Sequence, residues 1–155
     1  MKQGLTPLWN DDMVEDFFDR FIDRAEEQIL KHLSAAGEKF VATARKSGNY
    51  NDQTGNLRSS IGYIIVKDGD VISENYQLSE KGTDRYTGLK QGQRLIKEIA
   101  EAFPNGYILI GVAGMEYAAC VEAGGRDVVS GACIQCEDYL RRASKRIFDR
   151  IYGRI

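Results

Sequence analysis

From Asp12 onward, apolar residues return at every third or fourth position: Met13, Val14, Phe17, Phe18, Phe21, Ile22, Ala25, Ile29, Leu30, Leu33, Ala36, Phe40, Val41 and Ala44. That is the period of an α-helix with one face turned to a core, and the two-residue alternation of a strand does not accommodate it. Asp12, with Glu15 three residues later, fits a capping-box start, and Gly48 provides a stop. At about 1.5 Å per residue an unbroken helix from Asp12 to Lys46 would run about 50 Å, longer than a small domain is wide. A kink or break is therefore expected at Gly37.

Ahead of this stripe, residues 1–11 form an N-terminal arm that resists regular structure, with Pro7, a single Trp9 and the Asn10-Asp11-Asp12 cluster. After it, Ile61–Val66 and Val71–Tyr76 are rich in Ile, Val and Tyr. The Asp68-Gly69 pair between them is favoured in tight hairpin turns. Residues 77–93 are polar, aperiodic and hold Gly82, Gly88 and Gly92, which predicts a long loop. Leu95, Ile96, Ile99, Ala102 and Phe103 mark a short amphipathic helix closed by Pro104-Asn105-Gly106. Tyr107–Val112 then reads as a buried strand, expected at the centre of the sheet. Asp127-Val128-Val129 adds a brief strand, and Ser130 caps a last helix whose inward face is Cys133, Cys136, Leu140, Ala143, Ile147 and Ile151. This order predicts a single α+β domain over residues 1–155, with a long N-terminal helix and a C-terminal helix packed on one face of a small, mainly antiparallel sheet.

A chain of 155 residues can bury roughly 70% of its unfolded surface and needs no disulfide to stay folded. Its three cysteines are an odd number, it starts without an apolar signal core, and no apolar run approaches the roughly 20 residues that span a bilayer. A soluble protein made in a reducing cytoplasm is expected. Lys and Arg total 21 against 23 Asp and Glu, a formal net charge of −2, so there is no excess positive field to hold a polyanion. The basic outer face of the last helix, Arg141, Arg142, Lys145, Arg146 and Arg150 with Arg154, is diluted by Glu137, Asp138 and Asp149. It reads as a solvated face first and a subunit contact second.

The residues with chemical potential do not assemble into a familiar site. Cys133-x-x-Cys136 has only Cys120 and the single His32 as further soft ligands, short of a zinc set with known spacing, so the thiols read as small core hydrophobes. His32 sits at the border of an apolar face. Ser59 or Ser60 with His32 and an Asp would supply the residue types of a nucleophilic triad, but no nucleophile elbow is present. Glu116 and Glu122 flank Tyr117 without metal-ligand spacing, and the three loop glycines do not match a phosphate loop. No catalytic residue, metal or cofactor is expected.

Two stretches remain that carry pattern without chemistry: Thr54-Gly55-Asn56-Leu57-Arg58-Ser59-Ser60-Ile61, and Glu116-Tyr117-Ala118-Ala119-Cys120-Val121-Glu122-Ala123-Gly124. In this order they resemble the T-G-x-L-R-x-S-I and Y-A-x-x-V-E-x-G segments of the tail-completion, or head-to-tail joining, proteins of long-tailed bacteriophages. The resemblance extends to the long opening helix ending in Ala44-Arg45 and to the closing amphipathic helix. The chain departs from the family after the second segment: Gly125-Arg126-Asp127-Val128-Val129-Ser130 stands where many members have a threonine and a later Pro-Phe segment. The family fingerprint falls on Thr54, Gly55, Leu57, Arg58, Ser60, Tyr117, Ala118, Val121, Glu122 and Gly124. Read physically, Gly55 supplies a turn into the strand, Leu57 and Ile61 core contacts, and Arg58 a donor for a carboxylate, with Glu122 as the expected partner.

The resemblance implies a non-enzymatic virion structural protein, encoded by a phage or prophage and made in the host cytoplasm. Copies would form a ring, expected to be hexameric, in the virion neck between the portal and connector proteins of the filled head and the tail-tube proteins. Genomic DNA would pass through without specific binding, and no membrane would be involved. The arm and the loop are then the segments expected to order against neighbours, with Trp9, Lys81, Arg85, Tyr86 and Lys90 as candidate interface residues. The rival readings are a small nucleic-acid-handling or hydrolytic enzyme and a module that binds a host protein.

Overall fold

The computed structural model describes residues 8–47 and 50–152. The expectations for residues 1–7, Gly48, the Ile151 side chain and Arg154 lie outside the described residues. Contacts divide the chain into two compact units, Met1–Lys31 and His32–Ile155.

Helix α1 spans Asp11–Ser47 without a break. Its start is capped by Asn10, whose side-chain oxygen accepts the Met13 N–H at 2.9 Å, two residues ahead of the expected Asp12 box. No break falls at Gly37. A Cβ there would lie 2.5 Å from the Tyr63 ring, so its role is to admit that ring against the helix. Within the second unit Ala36, Phe40, Val41 and Ala44 are buried, whereas Met13 through Ile22 in the first unit are exposed.

The second unit continues with a short turn of helix, α2 (Asn56–Ser59), and the hairpin β1 (Ile61–Lys67) and β2 (Asp70–Tyr76). Helix α3 (Tyr86–Ala100), strand β3 (Tyr107–Ala113), the short α4 (Ala118–Ala123) and α5 (Ser130–Tyr152) follow. The hairpin closes as the sequence predicts, with Asp68 and Gly69 both at positive φ, 51° and 88°. The sheet is three-stranded and antiparallel in the order β2-β1-β3. The α+β class with N- and C-terminal helices is as expected, but β1 takes the centre and β3 an edge.

Helices cover both faces of the sheet, not one. Ile64 and Val66 of β1, with Ile110 and Val112 of β3, pack against Ile96 and Ala100 of α3. On the opposite face, Gly111 admits the Phe40 ring of α1, where a Cβ would stand 2.6 Å from it. With both faces covered, β1 is buried along six of its seven residues. The loop expected over 77–93 ends at residue 85, because Gly88 and Gly92 belong to α3. They are breakers by composition, yet here they let the helix approach the backbone of Asn56 and Ser60. Residues 127–129 form no strand. Val128 is instead a buried plug beside Leu57 and Ala118.

Candidate functional site

The two fingerprint stretches, about sixty residues apart in the chain, meet in one place. Leu57 from the first and Ala118 from the second share a buried cluster with Tyr50 and Val128, flanked by Met115 and Val121. Polar residues of both stretches, Thr54, Asn56 and Tyr117, line a neighbouring cleft of about 380 Å³ together with Arg126. Burial pushes the Tyr117 hydroxyl above its ordinary range, opposed by hydrogen bonding with Thr54.

Gly55 turns the chain in the left-handed region, φ 77°, where a side chain would be strained. Asp52 then accepts the backbone N–H groups of Leu57 at 3.3 Å and Arg58 at 2.8 Å, fixing the entry to α2. Ser59 and Ser60 are fully buried. Their hydroxyls donate to the carbonyls of Gly55 at 2.7 Å and Leu57 at 2.8 Å. The Ser59 hydroxyl also accepts the Ser79 N–H at 2.9 Å, so this serine ties down the loop as a structural bridge. Buried Asn56 reaches the other way. Its side-chain oxygen accepts the Gly88 N–H at 2.8 Å and its amide donates to Asp84 at 3.4 Å. Hydrogen bonds from Thr87 and then Asn56 hold the Asp84 carboxyl below its usual range.

The partners that Arg58 takes differ from the one expected, Glu122. Its guanidinium lies 4.9 Å over the Tyr50 ring and donates to the Arg45 carbonyl at 3.3 Å. Arg45 in turn donates to the Arg58 carbonyl at 2.9 Å and to the Gln77 carbonyl. Glu122 is turned toward the start of α5, accepting the N–H of Ser130 at 2.8 Å and of Val129 at 3.4 Å. The Ser130 side-chain hydrogen bond leads in holding the Glu122 carboxyl below its ordinary range. Asp127 accepts the Gly131 N–H at 3.0 Å, so carboxylates cap α5, and Ser130 is its first helical residue.

Arg45, Lys46, Arg58 and Lys81 line a basic cleft of about 540 Å³ together with Glu80. Of the candidate interface residues, Trp9, Lys81, Tyr86 and Lys90 are exposed, but Arg85 is half-buried and donates to the Ser79 carbonyl at 2.8 Å. Cys133 and Cys136, expected in the core, are exposed and half-buried respectively, and Cys120 is exposed. Cys136 sits in a groove of about 410 Å³ between α5 and the sheet, lined by Phe40, Tyr63, Leu109 and Leu140, with Cys133 and Arg141 also on its wall. Burial raises the Cys136 thiol pKa and so favours its protonated form. His32 is bonded through Nδ1 to the Tyr139 hydroxyl at 3.2 Å, which fixes it against α5. Among the described residues, no group of three or more His, Cys, Asp or Glu is placed to hold a metal ion. No described helix is long and apolar enough to cross a membrane.

Sequence reasoning singled out the fingerprint residues but passed over Asp52, Asn56 and Ser79, whose bonds hold them in place. The signal for Asp52 was available: an Asp a few residues before a buried helical turn is a common cap. No family model matches this chain, and neither a curated protein nor a solved structure matches it.

Proposed function

We propose that this protein is a non-enzymatic structural component of a long-tailed phage virion, one that joins the DNA-filled head to the tail as part of the neck conduit. The reading rests on the two fingerprint stretches, and the observation that supports it is their convergence. Leu57, Ala118 and Val121 meet in a single cluster, and the polar residues around them are engaged in holding backbone. Asn56, Ser59 and Ser60 position loops in this arrangement, as befits a scaffold that presents surfaces to neighbours. Copies of the chain form the ring, expected to be hexameric, with portal or connector proteins on one side and tail-tube proteins on the other. A net charge of −2 suits a conduit whose wall does not retard a polyanion.

The test is immunogold electron microscopy, using antibody to this protein on phage particles purified from a host that carries the gene. Label at the head-tail junction is the expected result. Well-formed, joined particles with no label anywhere would overturn the reading.

A further inference from the structure

Trp9, Met13, Phe17, Phe18, Phe21 and Ile22 lie exposed at the start of the chain, with Trp9 at 64% and Phe17 at 67% of full exposure. Since an aromatic side chain offers roughly 150–250 Å² to a partner, this stripe presents an apolar patch on the order of 500–700 Å². That is at or above the upper end of the roughly 300–600 Å² that the largest patch of a monomer ordinarily leaves in water, and approaches the roughly 800 Å² that each partner contributes to a standard interface. The patch is also strongly acidic, with eight Asp and Glu against three Lys and Arg between Asp11 and Lys31. Two such segments from different copies would repel if laid against each other, which disfavours pairing of like with like.

The second unit carries a surface of opposite character. On the outer side of α5, Ile134, Arg141, Lys145 and Phe148 fall at spacings of seven, four and three, so they share one helical face. Ile134 and Phe148 are 62% and 60% exposed. Between Ile134 and Arg150 five bases stand against three acids. The 410 Å³ groove opens beside this face, its wall formed by Phe40, Tyr63, Leu109 and Leu140 with Arg141 among its lining residues. A cavity of roughly 150 Å³ already takes a benzene ring, so an aromatic side chain fits here. Among the described residues Arg141 pairs with Glu137 at 2.6 Å in an exposed bond, of a kind weak enough to exchange for a partner's carboxylate.

We infer that the acidic aromatic stripe of residues 9–22 in one copy docks on the basic outer face of α5 and the adjoining groove of a second copy. This deepens the proposed ring and rests on that reading. The contact is head-to-tail, because the two surfaces are different, and a repeated head-to-tail contact closes into a ring when its rotation permits. The aromatic side chains act as anchors, and the charges set the orientation and the partner.

The test uses the full chain in two charge-reversed forms, Glu15→Lys with Asp19→Lys, and Arg141→Glu with Lys145→Glu. All four positions are exposed, and circular dichroism checks that each variant keeps its helix content. Sedimentation velocity over a concentration series reads the oligomer. The wild type is expected to associate, each variant alone to associate at least tenfold more weakly, and an equimolar mixture of the two to recover, since every contact in an alternating ring then pairs opposite charges. Variants that associate like the wild type, or a mixture that stays apart, would overturn the surface assignment while leaving the ring reading intact. A wild type that remains monomeric overturns the inference as well, and the immunogold label decides the neck reading separately.

Discussion

Replacing Gly88 by alanine tests the joint that holds the first fingerprint to α3. In an ordinary exposed helix this change is favourable, because alanine is the better helix former by about 1 kcal/mol. Here the new Cβ would stand 2.7 Å from both the Cα and the carbonyl carbon of Asn56, and closer still to its carbonyl oxygen. Carbon atoms in contact prefer roughly 3.5–4.0 Å, so α3 must retreat by about 1 Å. The bond from the Gly88 N–H to the Asn56 side chain, now 2.8 Å, then lengthens past the range in which it holds. Overpacking of this kind costs about 1–3 kcal/mol, and leaving a buried N–H unmatched costs about 1–3 kcal/mol more. Less the helix gain, the net is about 1–5 kcal/mol, which for a chain of this length lowers Tm by about 2–20 °C.

Thermal and denaturant unfolding of Gly88→Ala beside Lys90→Ala measures this directly. Lys90 is exposed in the same helix, and its replacement should change stability by no more than about 0.5 kcal/mol. A Gly88→Ala protein as stable as the wild type, or more stable, would refute the close approach of α3 to Asn56. Residues 86–93 would then be a loop in solution, as the composition suggests.

Three further outcomes are expected. Ser59→Ala should destabilise by about 1–3 kcal/mol in urea unfolding, because the buried Ser79 N–H loses its acceptor, with wild-type stability counting against that bridge. Glu122 has its folded pKa depressed from 4.5, so its contribution is present above the unfolded value and is lost as pH falls through the folded one; Glu122→Gln should flatten the fall in Tm below pH 4.5, and an unchanged profile would remove Glu122 from the α5 cap. Tyr63 is raised from 10 to about 12 by burial and by its hydroxyl's 2.8 Å bond to Glu38, so its contribution is complete below pH 10 and is lost as pH rises through about 12; spectrophotometric titration of Tyr63→Phe should lose one late-titrating tyrosine, and a wild type with no tyrosine titrating late would refute the buried bond.

The elements whose signal is local were legible in the sequence. The hairpin is one, because Asp68 and Gly69 occupy the two positions of a tight turn that demand positive φ. Those set by distant contacts were not. Gly88 and Gly92 look like loop residues until the backbone of Asn56 and Ser60 is known to lie against them. The Tyr107–Val112 run suggested a central strand, since an apolar run does not say whether strands or helices do the covering. Here the edge strand β3 is covered by α3 on one side and meets the Phe40 ring on the other. The candidate site was legible as two motifs but not as one place. The shared cluster of Leu57 and Ala118 depends on a topology that no single stretch encodes.

The opening stripe shows most plainly where sequence reasoning stops. One helical period runs from Met13 to Ala44, yet Phe40, Val41 and Ala44 are buried while Phe17, Phe18 and Phe21 are exposed. Period records that a face is to be covered, and it is silent on whose atoms do the covering. At about 25 cal/mol per Å², covering a patch of about 600 Å² is worth about 15 kcal/mol before any cost. Association and the ordering of side chains take back about 4–15 kcal/mol, so the patch alone brings an interface to the threshold of stability. Complementary charges and a groove that receives an aromatic anchor then decide whether the threshold is crossed, and with which surface. Residues that look like core in the sequence but lie outside it in the folded chain are therefore where a docking surface is to be sought.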